Sequence, residues 1–419
     1  MKRVIGKLNP ADKNVTIWGA GFSGLILGYY LKDQGYKITI HEKSNKVGGK
    51  IQTKKTQAGL VEKGPNALYM NADGMDLLKE LKLEPLPAAK KLRRLLLING
   101  KPKRPVQLGI LGQLAVHGHK KPPLIADGLT VAEFFRPLIG SENINQFLSP
   151  ILGGIYATSS ESLHFKSVFS EMSHIAQFNS YWDFIKLLIK NQKMKPRLDV
   201  SGSVSFEGGM QTLINRLADV LKHEIKLNSK VPFEIKGNTI LCTDAITASE
   251  LTRDLKPEIS AELARVKYQE LSSVTVFLKR EIKSLQKSFG VLIPLETGFN
   301  SIGIINNKAT FPANNENVFS YTFIARKKLT EAEVYSDVKM LYSEFTEEDL
   351  EYMEQTHWDK ALPIYDLQRY LSVKKLHQLA KGEDHFAIFG NYVAGISLRE
   401  MISAARAFAH NPQEYKEIR

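Results

Sequence analysis

The chain has one cysteine, Cys242, among its 419 residues. A single cysteine excludes an internal disulfide and a metal site built from several cysteines. Long hydrophobic runs are also missing. The longest uncharged stretch, residues 15–31, contains four glycines, a pattern that favours a strand, a turn and a helix over a membrane span. No apolar signal core follows the first three residues, so we expect a protein of the reducing cytoplasm.

The charge balance points to an acidic partner. There are 57 Lys and Arg residues against 44 Asp and Glu residues, which gives a net charge of +13. Nucleic acid, anionic lipid and a carboxylated ligand are the candidate partners. The basic residues are scattered without a nucleic-acid-binding motif, so no nucleic acid is expected. His117 and His119 lie in a predicted loop without metal-ligand spacing, so they are interpreted as solvated residues and no metal site is predicted.

The segment from residue 14 to residue 42 carries the strongest local signal. An apolar run, a glycine-rich turn, a helical stretch and a second apolar run follow one another. Gly19 permits a tight turn, Gly21 lets the backbone approach a pyrophosphate, and Gly24 lets the helix pack on the sheet. Glu42, 18 residues after Gly24, can accept both hydroxyl hydrogen bonds of an adenosine ribose. The candidate nucleotide contacts here are Gly19, Gly21, Phe22, Ser23, Gly24 and Glu42.

The residues that follow select FAD from among the nucleotides. Lys43 and the run Gly48-Gly49-Lys50 resemble the glycine-pair extension that large FAD oxidoreductases place after the ribose acid. A dehydrogenase that uses only NAD normally lacks this extension. Residues 206–213 resemble the turn and helix that return the chain to the FAD domain, although, taken alone, an ordinary glycine turn before a helix explains them better.

Further segments are similar to FAD-contacting elements of such enzymes. Residues 62–66 resemble an acidic-glycine-proline turn, and Val231 sits where related enzymes present a valine backbone to the adenine. Near the C-terminus a strand leads into a glycine turn and a helix, expected over residues 399–409. Backbone N–H groups at the start of that helix are candidates for the pyrimidine edge of the flavin. These segments contribute Gly64, Pro65, Asn66, Val231, Gly390, Asn391, Gly395, Ile396 and Ser397 to the expected cofactor site.

Over nearly its whole length the chain resembles the protoporphyrinogen oxidase family, including its coproporphyrinogen-oxidising bacterial members, within the flavin amine oxidase superfamily. The more specific similarities are residues 147–157, 272–274, 289–294, 358–365 and 390–392. The resemblance implies non-covalent FAD, contact between Trp358 and the cofactor, and hydride removal from a porphyrinogen, with oxygen as acceptor and hydrogen peroxide as product. Such chemistry needs little side-chain acid or base, so no catalytic residue is assigned.

A porphyrinogen carries propionates, which suit a basic chain. Arg94 matches the position where the family places an arginine against a propionate, and a guanidinium binds a carboxylate through two parallel hydrogen bonds. A solvated basic cluster formed by Lys90, Lys91, Arg93 and Arg94 is the other interpretation.

Two other functions stay open. Amine oxidases often place a lysine beside the flavin on the strand corresponding to residues 271–279, where the alignment puts Val276. Their covalent members need a cysteine near the C-terminus, which this chain lacks. The alternatives are therefore another FAD-dependent amine oxidase or desaturase-like enzyme, and a flavin- or tetrapyrrole-binding protein without turnover. His357 is interpreted as either a cavity residue or a hydrogen-bonded structural histidine.

These patterns predict an α/β fold, α+β overall: a Rossmann-like FAD/NAD(P)-binding domain, a mixed-sheet substrate domain and a helical insertion. We expect the FAD-binding domain at residues 1–84, 200–250 and 382–419, the substrate domain at 85–105 and 251–381, and the helical domain at 106–199.

Membrane contact is a further open question for the helical domain. Ile175, Phe178, Trp182, Ile185 and Ile189 recur at helical spacing beside a basic group, Lys186, Lys190, Lys193, Lys195 and Arg197. Both a helix packed on its own domain and a helix lying on anionic lipid fit this pattern. A cytoplasmic location is expected, with peripheral binding to the inner face of the cell membrane left open. The oligomeric state is not predicted.

Overall fold

The computed structural model describes residues 3–105, 108–172, 174–193, 200, 202–295, 297–315 and 318–413. The strands are β1 Ile5–Gly6, β2 Asn14–Trp18, β3 Lys37–His41, β4 Thr53–Lys55, β5 Leu60–Glu62, β6 Leu68–Tyr69, β7 Leu86–Pro87, β8 Arg93–Ile98, β9 Lys101–Lys103, β10 Ser203–Ser205, β11 Ile225–Lys226, β12 Asn238–Leu241, β13 Tyr268–Leu278, β14 Ser288–Leu292, β15 Gly303–Asn306, β16 Phe319–Ala325, β17 Leu350–Pro363 and β18 Phe386–Ile388.

The helices alternate with these strands and also form an insertion of their own. They are α1 Phe22–Asp33, α2 Ala72–Glu80, α3 Leu108–His117, α4 Val131–Asn143, α5 Ser149–Tyr156, α6 Phe165–Val168, α7 Tyr181–Lys193, α8 Gln211–Val220, α9 Ala245–Thr252, α10 Pro257–Ala264, α11 Asn307–Thr310, α12 Glu331–Leu341, α13 Leu367–Leu379, α14 Asn391–Ala394 and α15 Leu398–His410.

The first large sheet has the strand order β1-β18-β12-β2-β3-β11. Its strands β18, β12, β2, β3 and β11 pair in parallel, whereas β1 adds an antiparallel edge. Parallel strands need crossover connections, which α1 supplies between β2 and β3. The sheet draws its strands from the beginning, the middle and the end of the chain, so the carboxyl ends of sequence-distant strands meet at one edge.

The second large sheet has the order β17-β13-β16-β15-β14-β8-β9 and is mixed, because only β8 and β14 pair in parallel. Side chains alternate between its two faces. One face, with Leu95, Val276 and Phe323, packs into a hydrophobic core under α12. The opposite face carries the intervening residues and turns toward the segment at residues 62–66, where Ser273 Oγ donates to Glu62 O at 3.4 Å.

Helices α3 to α7 form a separate aromatic core. The ring centroids of Phe134, Phe165 and Phe184 are 4.3–6.2 Å apart, and the Tyr181 hydroxyl donates to Phe134 O at 2.6 Å. Burial of aromatic rings is the main stabilising contribution in such a cluster. No helix among the described residues is both long and apolar enough to span a bilayer.

The predicted fold class is confirmed, with a mixed α/β arrangement of helices and sheets. Two local interpretations were wrong. The Lys- and Pro-rich sequence of residues 101–105 predicts a loop, but Lys101–Lys103 form β9 at the edge of the second sheet, where a proline, which lacks a backbone N–H, is tolerated. His117 was interpreted as a solvated loop residue, but it ends α3, and its Nδ1 is buried without a hydrogen-bond partner.

Candidate active site

The glycine turn lies at the carboxyl edge of the first sheet. Gly19 follows β2 with φ of +106°, a backbone conformation that favours glycine, and an added Cβ would lie 3.0 Å from Cys242 O. A Cβ on Gly24 would lie 1.9 Å from Gly19 O, so α1 can pack against the turn only with glycine there. Both glycines are therefore required by contacts within the protein itself.

Gly21 differs from these two glycines. Its φ of −68° and ψ of 178° suit any residue, and an added Cβ would find only Gly49 Cα, at 3.9 Å. No contact within the described structure requires a glycine at this position. A ligand that approaches the backbone closely does explain it, as a pyrophosphate would.

The first turn of α1 is free to bind an anion. Its N-cap, Gly21, makes no side-chain capping hydrogen bond, and no acidic residue lies in the first turn. The unpaired N–H groups and the positive end of the helix dipole therefore point toward the site. Phe22 packs into the core, which fixes the helix start, and Ser23 is half-buried beside it.

Glu42 lies directly after β3 and faces the same turn. Its Oε2 accepts from Ala20 N at 2.8 Å, and its Oε1 accepts from Ser44 N and Ser44 Oγ, each at 2.9 Å. The carboxylate is therefore held beside the glycine turn, and its oxygens keep acceptor capacity for ribose hydroxyls. Val231 is 51% exposed and follows Ser229, whose N donates to Glu42 O at 2.9 Å, so it lies at the same end of the sheet.

The glycine pair packs against the first turn. Gly48 forms a bridge with Gly21, and Gly48 N donates to Ala20 O at 2.8 Å. Burial lowers the pKa of Lys50 to about 8, while the carboxylate of Asp244 opposes that shift. The ammonium group of Lys50 is therefore largely enclosed by the protein, whereas Lys43 is exposed.

The turn at residues 64–66 joins the glycine pair to the second sheet. A Cβ on Gly64 would lie 2.1 Å from Lys50 O, so these backbones touch. The Trp358 indole N–H donates to Lys63 O at 2.6 Å, which places Trp358 beside the turn that contains Pro65. Asn66 Nδ2 donates to Asn307 Oδ1 at 3.3 Å.

The C-terminal turn reaches the same edge of the first sheet. An added Cβ on Gly390 would lie 3.5 Å from Thr243 O, and Thr243 follows Cys242, the residue that Gly19 approaches. In the same turn, Asn391 O accepts from the Tyr365 hydroxyl at 2.5 Å. Ligands of parallel α/β sheets bind outside the carboxyl ends of the strands, where these turns meet.

The amides expected at the flavin lie at the start of α15. Gly395 has φ of +125°, and Ile396 and Ser397 follow it. Ser397 caps the helix, and its N–H already has an acceptor in Glu400 Oε2 at 3.4 Å. Among the described residues, the backbone N–H groups of Gly395 and Ile396 make no hydrogen bond of this kind to a capping side chain.

Arg94 lies on the second sheet, on the face turned toward residues 62–66. It is exposed, and its guanidinium lies 5.7 Å from the ring centroid of Phe289. Alternation places Leu96, Leu292 and Ile324 on this face too, because their strand neighbours point into the opposite core. An apolar strip therefore adjoins Arg94.

Sequence reasoning missed Arg326, which ends the same apolar strip. Its Nε is buried without a hydrogen-bond partner, and burial lowers its pKa. Helix α5 covers it: an added Cβ on Gly153 would lie 3.7 Å from Arg326 Nη2, and one on Gly154 would lie 2.6 Å from Leu292 Cδ2. A buried guanidinium nitrogen without a partner among the described residues is costly, which favours an anionic ligand here. Arg326 reaches this face only because strands that are far apart in the sequence pair with one another in the sheet.

His357 has polar neighbours at both ring nitrogens. Its Nδ1 lies 2.9 Å from Ser272 Oγ, and its Nε2 lies 3.1 Å from Asp359 and 3.5 Å from Glu270. Among the described residues these three side chains form a group close enough to hold a metal ion, but both carboxylates are exposed. The contacts account for His357 as a structural histidine.

Val276 is buried in the hydrophobic core of the second sheet, on the face away from residues 62–66. The aligned lysine position of amine oxidases therefore does not face the cleft here. Ser273, Thr275 and Phe277 point the other way, and β13 contains no lysine at all.

Comparison with known proteins agrees with this geometry. Residues 22–232, half of the chain, match the model of the flavin containing amine oxidoreductase family. Protoporphyrinogen oxidase 2 of Arabidopsis thaliana is 26% identical, with 94% of this chain and 92% of that protein aligned. Coproporphyrinogen III oxidase of Staphylococcus aureus is 28% identical over 52% of this chain and 54% of that protein.

A solved structure shows the same fold. The crystal structure of a candidate protoporphyrinogen oxidase from Exiguobacterium sp. 255-15 superposes with a TM-score of 0.75 at 16% identity, covering 95% of this chain and 98% of that one. The open turn at Gly21, the uncapped helix start and the carboxylate of Glu42 fit FAD. The chain therefore belongs to the flavin containing amine oxidoreductase family and is an FAD-dependent oxidoreductase.

Proposed function

We propose that this protein oxidises a carboxylated porphyrinogen, with oxygen as the final electron acceptor and hydrogen peroxide as the product. The named relatives support this substrate class, since protoporphyrinogen oxidase 2 aligns over nearly the whole chain. The structural observation that carries the proposal is the apolar strip of the second sheet, which has Arg94 at one end and Arg326 at the other.

The strip suits a flat, apolar ring system with carboxylates at its rim. Arg94 and Arg326 lie three strands apart and four residues apart in register, so their Cα atoms are separated by about 20 Å. Both arginine side chains are long, so guanidinium groups that extend toward each other would be separated by about the width of a macrocycle. Leu292 and Ile324, which are partly exposed, would contact the ring between them.

In this proposal the protein orients its substrate and keeps water away. Helix α5 closes the strip on one side, and residues 62–66 close it on the other. Bound FAD supplies the hydride acceptor. The amides of Gly395 and Ile396 would stabilise negative charge at the pyrimidine edge. Three such rounds remove six electrons and six protons from a porphyrinogen, and three molecules of oxygen take them up as three molecules of hydrogen peroxide.

A substrate comparison tests the proposal. Purified FAD-loaded protein is supplied in air with protoporphyrinogen, coproporphyrinogen or a panel of primary amines, and peroxide and porphyrin are measured. We expect three peroxides per porphyrin formed and none from the amines. Peroxide from amines alone would establish the amine oxidase alternative. Tight porphyrin binding without peroxide would establish a binding protein.

Peripheral membrane contact is part of the same proposal. The stripe predicted for the helical region divides in the structure: Phe178 is buried, whereas Trp182 is 39% and Ile189 is 48% exposed. Leu111 and Val116 of α3 are exposed as well, and Trp182 N donates to Gly118 O, directly after α3, at 3.0 Å. Lys186 and Lys190 are exposed on α7, while Lys195 and Arg197 lie outside the described residues, as does the side chain of Lys193.

Flotation with liposomes tests the membrane contact. Exposed apolar side chains flanked by lysines should bind anionic vesicles more strongly than neutral ones. The double variant Trp182→Ser, Ile189→Ser should stay in the soluble fraction, with Leu371→Ser on α13, an exposed leucine elsewhere, as its control. Equal flotation of the double variant and the wild type would contradict the contact.

The domain division also remains our proposal: an FAD-binding domain at residues 1–84, 200–250 and 382–419, with the substrate and helical parts between. The first large sheet supports it, because its strands come from these three segments only.

A further inference from the structure

A second cavity lies outside the strip between Arg94 and Arg326. It has a volume of about 340 Å³ and is formed by α13, the segment around α6, the start of the described chain and the loop between α14 and α15. Its volume falls within the range of small-molecule sites, about 300–1,000 Å³. No residue of the second sheet's apolar strip lines it. We call it the tyrosine–arginine cavity, after Tyr156, Tyr365, Arg369 and Tyr370 in its wall.

Arg369 is the central feature of this cavity. It is only 4% exposed, its Nε donates to Tyr392 O at 2.7 Å, and its guanidinium lies 4.0 Å from the ring centroid of Tyr365. Among the described residues no carboxylate pairs with it, and its two terminal nitrogens make no hydrogen bond. A buried guanidinium without a carboxylate is costly unless an anion completes its hydrogen bonds.

The surrounding charges favour an anion as well. Lys166 and Lys374 line the cavity and share a single carboxylate, that of Asp127, and Lys381 adds an exposed ammonium group at the rim. Arg3 also lines the cavity, but it is neutralised by Glu400 at 3.1 Å. The wall therefore carries more positive than negative charge, with Arg369 at its most buried point.

The aromatic side chains restrict the shape of the ligand. The rings of Tyr156 and Tyr365 lie 5.4 Å apart, and Tyr370 packs 4.2 Å from His164. Rings of this kind pack well against a flat, apolar body. The cavity thus combines aromatic side chains with a buried guanidinium, a combination that suits a ring bearing a carboxylate.

We propose that the tyrosine–arginine cavity binds a carboxylate carried on a flat ring, with Arg369 as the anchoring residue. The carboxylate accepts two hydrogen bonds from the terminal nitrogens of Arg369, and the lysines at the rim hold a second carboxylate. Gly395 and Ile396 form part of the wall, so an occupant lies behind the loop whose amides are expected at the flavin. Binding should therefore be visible in the flavin absorbance spectrum.

Two sources offer this chemistry: a free aromatic acid, and a propionate-bearing pyrrole ring of the porphyrinogen itself. The site does not depend on porphyrinogen oxidation, because binding can be measured without turnover. Benzoate and phthalate serve as free-acid probes, and benzamide is the uncharged control. Coproporphyrin and its tetramethyl ester separate the carboxylates of a tetrapyrrole from its ring.

Calorimetric titration of FAD-loaded protein with phthalate is the first experiment. We expect saturable binding with a Kd at or below about 1 mM, no binding of benzamide, and a shift of the flavin spectrum. Arg369→Gln should weaken phthalate binding at least about tenfold, as expected for loss of a charged hydrogen-bond donor. Because Arg369 also contacts Tyr392, the rim variant Lys381→Gln provides a milder test, expected to weaken binding about twofold to threefold.

Lys375→Gln is the matched control, since Lys375 is exposed on the same helix but does not line the cavity. Saturating phthalate that leaves coproporphyrin affinity unchanged assigns the cavity to a free acid. Phthalate that competes with coproporphyrin but not with its ester assigns it to the substrate's own carboxylates.

Two results would overturn the proposal. One is the absence of phthalate binding together with equal coproporphyrin affinity in the wild type and Arg369→Gln. The other is loss of FAD from Arg369→Gln while Lys381→Gln binds phthalate as the wild type does, which would make the cavity part of the cofactor's own pocket.

Discussion

The glycine turn after β2 and the apolar strip of the second sheet are built in opposite ways. The turn consists of residues 14–50, close together in sequence; backbone contacts explain Gly19 and Gly24, and a closely approaching pyrophosphate would explain Gly21. The strip brings together β8, β14 and β16, in which Arg94 and Arg326 are 232 positions apart. Local motifs therefore reveal the cofactor, whereas the proposed substrate contacts are residues that only the pairing of distant strands brings together.

The largest expected effect concerns Gly21, the glycine of the Gly19-Gly21-Gly24 set that no contact among the described residues requires. Gly21→Ala should fold normally, because its backbone angles suit alanine and the nearest atom is 3.9 Å away. It should lose FAD affinity by on the order of 100-fold, or about 2.8 kcal/mol, because a methyl group would meet the pyrophosphate. FAD fluorescence titration and thermal melting of the apoprotein measure the two properties.

The control for Gly21 is Gly128→Ala, where an added Cβ meets nothing within 4 Å, far from the turn. A Gly21→Ala protein that binds FAD as tightly as this control would show that the turn does not hold the pyrophosphate.

A smaller effect is expected for the two arginines of the strip. Arg94→Ala and Arg326→Ala should each raise the KM for coproporphyrinogen roughly tenfold while leaving FAD content unchanged, since each loses a charged hydrogen bond worth about 1.5–3 kcal/mol. Lys101→Ala on the exposed edge strand β9 is the matched control. If Arg326→Ala behaves like this control, the strip is not the carboxylate site and the comparison with the glycine turn fails.

The smallest effect concerns Glu62, at the junction between the two regions. Burial raises its pKa from 4.5 to about 7, although Met210 N and Thr53 Oγ1 donate to it at 2.8 Å. Between these two pH values the unfolded chain has lost the proton that the folded protein still holds. Stability should therefore fall as pH rises from 4.5 to 7 and then level off.

Glu62→Gln should remove that slope. Melting temperatures of the wild type and Glu62→Gln should diverge by a few degrees between pH 5 and pH 8, with the variant the more stable at high pH. Glu207→Gln, at an exposed glutamate, should follow the wild type. Parallel curves for wild type and Glu62→Gln would show that Glu62 ionises normally.

The sequence predicted the first sheet and its turns well because the determinants are local. Apolar runs, glycine spacing and an acid after the second strand fix β2, α1 and β3 within 30 residues. Residues 318–324 are likewise a strand candidate in the sequence, and the observed strand, Phe319–Ala325, is shifted from them by one residue. Capping residues and periodicity suffice where neighbouring residues determine the structure.

Other features depend on long-range pairing. A one-residue shift along a strand moves a side chain to the other face, and this is why Val276 was aligned with a cleft position although it faces the core. The parallel pairing of β8 with β14 joins residues nearly 200 positions apart, so Arg326 could not be placed on the same sheet face as Arg94 from sequence. The tyrosine–arginine cavity combines four separate segments in the same way.

Anaerobic mixing of the FAD-loaded protein with freshly reduced coproporphyrinogen and protoporphyrinogen tests the central claim most directly, with flavin absorbance and porphyrin fluorescence followed together. The account predicts that flavin bleaching and porphyrin formation proceed at the same rate, and that both slow in Arg326→Ala at subsaturating substrate. Flavin that stays oxidised with both substrates would contradict porphyrinogen oxidation while leaving the FAD site intact.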